Sequence, residues 1–132
     1  MRNYSILLVY LISLLFPQNS SEILGFWLFE SMTTITKGKR EEITILYKDD
    51  KNIESLEFKK NGSIVFDVLN DGIKKTGKGV WYADETNVAI IVDSDTTYGR
   101  YEITGKSLTI ITNEEETKEY YGYSTILKYQ KN

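Results

Sequence analysis

The sequence contains no cysteine and no histidine among its 132 residues. Without cysteine there is no disulfide to staple the fold, no thiolate nucleophile and no lipid attachment through a lipobox cysteine. Without histidine a Ser-His-Asp relay is absent, and a zinc site would need carboxylates alone. Proline occurs once, at Pro17, so no later strand is interrupted by a residue that cannot donate to a ladder. Positive charge is also sparse: 16 Lys and Arg stand against 19 Asp and Glu, for a net charge of −3. The basic residues are scattered, whereas a nucleic-acid partner needs a concentrated positive footprint; no nucleic acid is expected. A long apolar run occurs only at residues 4–16, and helical periodicity is almost absent after it.

That one run is informative. Arg2 gives a positive start, residues 4–16 are nearly all apolar, and Pro17-Gln18-Asn19-Ser20-Ser21 turns polar. This is the layout of a signal-peptide helix, and it is shorter than the ~20 apolar residues of a spanning helix. The expectation is a signal peptide over 1–21 and one domain over 22–132. The chain would be exported, to the periplasm or beyond, with no stable membrane span after cleavage.

From Leu24 onward the chain alternates short apolar/polar runs with turn residues. Trp27, Phe29, Ser31, Thr33 and Ile35 share one face of a first strand. Residues 37–52 are irregular and read as a lid over one barrel end. Leu56 and Phe58 alternate with Glu57 and Lys59, and Ile64, Phe66 and Val68 follow Asn61-Gly62. Asn-Gly between such runs predicts a two-residue type I′ hairpin. Gly77 and Gly79 open a strand carrying Trp81, as a bend in a barrel wall requires. Later faces carry Val88, Ile90 and Val92, then Tyr101 and Ile103, then Leu108 and Ile110. The last carries Tyr121, Tyr123, Thr125, Leu127 and Tyr129. Turns every 8–12 residues predict an all-β, antiparallel up-and-down meander of about eight strands, long enough to close into a small barrel.

The chemistry available is that of binding. The chain has 13% aromatic residues, ten of them tyrosine, and tyrosine suits a half-wet wall with an apolar ring and a polar tip. The candidate ligand-binding residues are Trp27, Phe58, Phe66, Trp81, Ile90, Tyr101, Tyr121 and Tyr123. For Trp27, Trp81 and the tyrosines the favoured reading is plain filling of the floor and core of a small barrel, with ligand contact as the alternative. Asp93-Ser94-Asp95 and Asn70-Asp71-Gly72 carry oxygen donors but lack the spacing and distal Glu of a calcium loop, and such residues dominate ordinary turns. No metal, cofactor or catalytic residue is expected, and the chain does not read as an enzyme.

Several segments resemble, in order, one known group. They are Leu24-Gly25-Phe26-Trp27, residues 56–63, Gly79-Val80-Trp81, residues 101–110 and a terminal Leu127-Lys128-Tyr129-Gln130-Lys131. Together they look like the small lipocalin-like domains exported by Bacteroidetes-type bacteria. The resemblance implies a small up-and-down, calycin-style barrel outside the cytoplasm. The barrel pattern together with the export layout leads to the expectation of a small, partly apolar ligand held non-covalently in the barrel. The alternative is an envelope protein-interaction or inhibitor module, with a filled core and an envelope protein as partner.

Overall fold

The computed structural model describes residues 22–118 and 121–132; the expected signal peptide lies outside them. Nine strands follow one another: β1 (Gly25–Thr36), β2 (Glu42–Tyr47), β3 (Asn52–Phe58), β4 (Ser63–Asn70), β5 (Ile73–Ala83), β6 (Asn87–Val92), β7 (Asp95–Thr104), β8 (Ser107–Glu114) and β9 (Tyr123–Lys131). Each of β3 to β8 pairs antiparallel with its successor, and β1 pairs with both β3 and β9. The expected meander therefore closes into an eight-stranded antiparallel barrel, with β2 as an extra strand on β1. Short connections between consecutive strands impose the antiparallel order, and closure removes the barrel's own sheet edges.

The barrel has two different ends. One is closed by the core, by Ile23 and Leu24 and by Lys131. At the other, three ladders stop short. β3 pairs with β1 only over residues 55–58, β6 with β5 only up to the Val80–Ile91 pair, and β8 with β7 only up to the Arg100–Ile111 pair. Gly79 marks the second divergence: a Cβ there would fall on the Ile91 carbonyl oxygen. The bend expected at the glycines of β5 is thus a backbone-on-backbone approach that a side chain would block.

Three local readings change. The 37–52 segment is not a lid. Its centre forms β2, which continues the line of β3 along β1, from Ser31–Tyr47 to Thr36–Glu42. Second, the register of β1 against β9 shifts between Phe29 and Ser31. This bulge inserts one residue and reverses the alternation. Trp27 and Phe29 face inward as expected, but beyond the bulge Met32 joins the core, and Thr33 and Ile35 pass to the outer face. Third, Asn61-Gly62 does not make a type I′ turn. Gly62 alone has positive φ (92°). The Gly62 N–H donates to Lys59 O at 3.0 Å, and the Asn61 side chain accepts from the Ser63 N–H at 3.0 Å. The side-chain bond holds Asn61 out of the left-handed region, so glycine alone absorbs the strain. Two successive left-handed residues occur instead at Asp71 (φ 51°) and Gly72 (φ 81°), between the paired Asn70 and Ile73.

The core gathers at the closed end. Trp27, Trp81, Phe58, Ile23, Ile64 and Leu108 are its largest fully buried side chains. The indole N–H of Trp27 donates to Ile23 O at 2.8 Å, and that of Trp81 to Lys59 O at 3.0 Å. Phe58 meets Trp81 edge-to-face at 5.4 Å. Ile23 and Leu24, just before β1, cap the floor, and Lys131 sits 4.5 Å over the Trp27 ring.

Candidate functional site

The inner face of the barrel grades from apolar to polar toward the open end. One cross-strand row sets Leu46, Met32, Leu127 and Ile110 side by side on β2, β1, β9 and β8. The next row toward the rim is Thr44, Thr34, Thr125 and Thr112. The rim row is Glu42, Thr36, Tyr123 and Glu114. Cross-strand neighbours of like polarity make each row a continuous surface.

A cleft opens beside the apolar row, where β3 leaves β1 and β2 takes its place. Its volume is about 150 Å³, and Phe29, Met32, Leu46, Ile53, Val68 and Leu127 line it. Glu54 also lines it. Glu54, Leu56 and Phe58 alternate inward along β3, so the carboxylate is carried to the inner face by the same period that buries its neighbours. One carboxylate oxygen accepts a hydrogen bond from the Tyr129 hydroxyl at 3.0 Å. Tyr129 is buried and packs edge-to-face on Phe29 at 5.9 Å. Burial raises the pKa of Glu54 and the Tyr129 hydrogen bond offsets part of that rise. Burial, reinforced by the Glu54 charge, holds the Tyr129 hydroxyl well above the usual tyrosine range. A neutral phenol donating to a partly desolvated carboxylate is the state this geometry favours. The second carboxylate oxygen has no hydrogen-bonding side chain among the described residues.

Two further hollows are larger. One, of about 380 Å³, runs beside Tyr82, Ala89, Tyr98, Arg100 and Ile111. In it Tyr98 has its pKa raised by burial. The other, of about 390 Å³, lies at the open rim between Lys37, Gly38, the acidic residues 114–116 and Tyr121. Among the described residues no three acidic side chains cluster so as to hold a metal ion. No helix among them is long and apolar enough to cross a membrane.

The sequence-predicted residues divide into two groups. Trp27, Phe58, Trp81 and Tyr101 belong to the buried core, with Phe66 and Ile90 packed against it. The two indoles have their N–H groups engaged as above, and the Tyr101 hydroxyl donates to Asp84 O at 2.5 Å. Tyr121 and Tyr123 lie at the opposite end, 53% and 42% exposed, on the polar rim hollow. The structure therefore brings six of the eight together in or against one packed cluster and sets two apart. Sequence reasoning missed Glu54, Phe29, Met32 and Leu127 as cleft residues. Extending the Leu56/Phe58 alternation back by two positions finds Glu54; the bulge that turns Met32 inward leaves no comparable mark. Comparison with known protein families, with curated proteins and with solved structures finds no match to this chain.

Proposed function

We propose that this chain is an exported, lipocalin-like barrel that binds a small, partly apolar molecule non-covalently in the cleft at its open end. The observation that carries the reading is Glu54, a partly buried carboxylate with one free oxygen among apolar side chains. Burial has already stripped part of its hydration, so a ligand donor that replaces water at the solvent-reached oxygen gains a charge-assisted hydrogen bond at reduced desolvation cost. The fitting ligand has a compact apolar body and one cationic or hydrogen-bond-donating head. A space of about 150 Å³ suits a body of roughly benzene size, with a longer tail passing out along the threonine row. Binding would rest on desolvation of the body against Met32, Leu46 and Leu127 and on a charge-assisted hydrogen bond to Glu54.

Titration with benzylamine, followed by the NMR methyl signals of Met32, Leu127 and Val68, tests this. Saturable shifts confined to the cleft are expected, with affinity at least about tenfold weaker in Glu54→Gln, the factor that ~1.4 kcal/mol of lost charge assistance produces. No cleft response to benzylamine or benzyl alcohol at millimolar concentration overturns it. Export is checked separately by the mass of protein recovered outside the cytoplasm, which should lack the 4–16 run.

A second reading, an envelope interaction or inhibitor module, is supported by the filled closed half of the barrel. It predicts native mass spectra in which the exported protein carries a protein partner and no small-molecule adduct.

A further inference from the structure

We infer that β2 is a self-association edge, and that two copies of this chain pair antiparallel through it about a two-fold axis at Ile45. The strand lies at the end of the sheet order, bonded to β1 on one side only. The Lys48 N–H donates to Glu30 O of β1 at 3.0 Å, which fixes the alternation of the ladder. Residues 42, 44 and 46 therefore turn their peptide groups to β1, and Ile43, Ile45 and Tyr47 turn theirs away from it. Asp49, on that same outer side, already exchanges backbone bonds with Asn52 at 3.3 Å; among the described residues no strand lies beside the three residues before it in this alternation.

All six residues of β2 are exposed. On the outer face Ile43, Ile45 and Tyr47 are 60%, 48% and 63% exposed. None of the usual guards of an edge strand stands between positions 43 and 47: no proline, no glycine, no charge. An unguarded edge of this kind is a template for another strand.

A second copy is the occupant because the segment is complementary to itself. With Ile45 opposite its symmetry mate, Ile43 faces Tyr47 of the other copy through hydrogen-bonded pairs, and Thr44 faces Leu46. Glu42 then faces Lys48, opposite charges in the pairing geometry where side chains approach most closely. The two-fold repeats each contact, as an isologous interface requires. The outer apolar residues of both copies join into one stripe beside Ile35.

Sedimentation equilibrium on the full chain as purified from cells tests the assignment. The wild type should show a concentration-dependent monomer–dimer equilibrium. Ile45→Lys, at the axis, should leave a monomer with an unchanged far-UV spectrum, since the barrel core does not include β2. Glu42→Lys or Lys48→Glu alone should weaken the dimer roughly tenfold, because each puts like charges together twice. The double exchange should restore it to within about threefold of wild type. A monomer up to millimolar concentration, a dimer indifferent to Ile45→Lys, or a double exchange no better than the singles overturns the assignment.

Discussion

Glu54 and the two tryptophans show how differently single residues are used in the same interior. The pKa of Glu54 is raised, first by burial. A carboxyl with a raised folded-state value contributes stability that is fully present below its unfolded value of roughly 4.3 and is lost as pH rises through the folded value. Glu54→Gln keeps an acceptor for Tyr129 and removes the charge. Its Tm should exceed that of the wild type at pH 7, and the gap should close below about pH 4; a gap independent of pH would show that the carboxylate is not desolvated. Trp27 and Trp81 have no such latitude, with 1% and 0% of their surface exposed and their N–H groups engaged. Trp81→Ala should cost about 3–5 kcal/mol in denaturant melts. Gly79→Ala should cost about 1–3 kcal/mol through overpacking against the Ile91 carbonyl. Both tryptophans were legible as barrel aromatics. Filling of the floor and core was the reading their size favoured in so small a barrel, and the structure places them there; the position of the cleft was not legible, because it depends on where β3 leaves β1.

Among the elements, turns and the edge strand carry the contrast. The β5–β6 turn is held by Asp84, whose carboxylate accepts from the Thr86 and Asn87 N–H groups at 2.8 and 2.6 Å. Burial would raise its pKa, but these hydrogen bonds outweigh it and the net shift is downward. A depressed value means stability present above the unfolded pKa and lost as pH falls through the folded one. Asp84→Ala should therefore destabilise by about 1–2 kcal/mol at neutral pH, and by less in acid; urea midpoints at pH 7 and pH 3 check this. β2 is the opposite case. Ile43→Thr with Ile45→Thr should change monomer stability by no more than about 0.5 kcal/mol, as for other exposed positions. Residues 43–47 read as part of a lid. Their place on β1 was not legible, because the pairing of so short a segment is decided by which edge remains free once the barrel closes.

The molecule as a whole is a barrel packed solid at one end and splayed at the other. Ile23 and Lys131 seal the floor, while three interrupted ladders open the top. On the proposed function, stability and binding are thereby separated along the axis. Ile23→Ala, at a fully buried floor position, should lower global stability by about 2–5 kcal/mol. Met32→Ala at the cleft should cost less, because Met32 is only partly buried, yet weaken amine binding. Parallel thermal melts and benzylamine titrations of the two variants would show the separation; equal effects on both measurements would deny it.

By itself the sequence determined an all-β, antiparallel, closed meander without disulfides, because alternation of period two and short polar turns act locally and leave few other ways to bury the apolar faces. It also excluded histidine and cysteine chemistry by composition. Tertiary structure alone decided where the interior is full and where it is empty. The bulge after Phe29 reverses which side chains of β1 reach inward, and β3 parts from β1 to admit β2. Glu54 becomes a cleft residue only when β9 brings Tyr129 to it across 75 positions of chain. Such outcomes depend on register between distant strands, and register is set by how the closed wall packs rather than by any one segment.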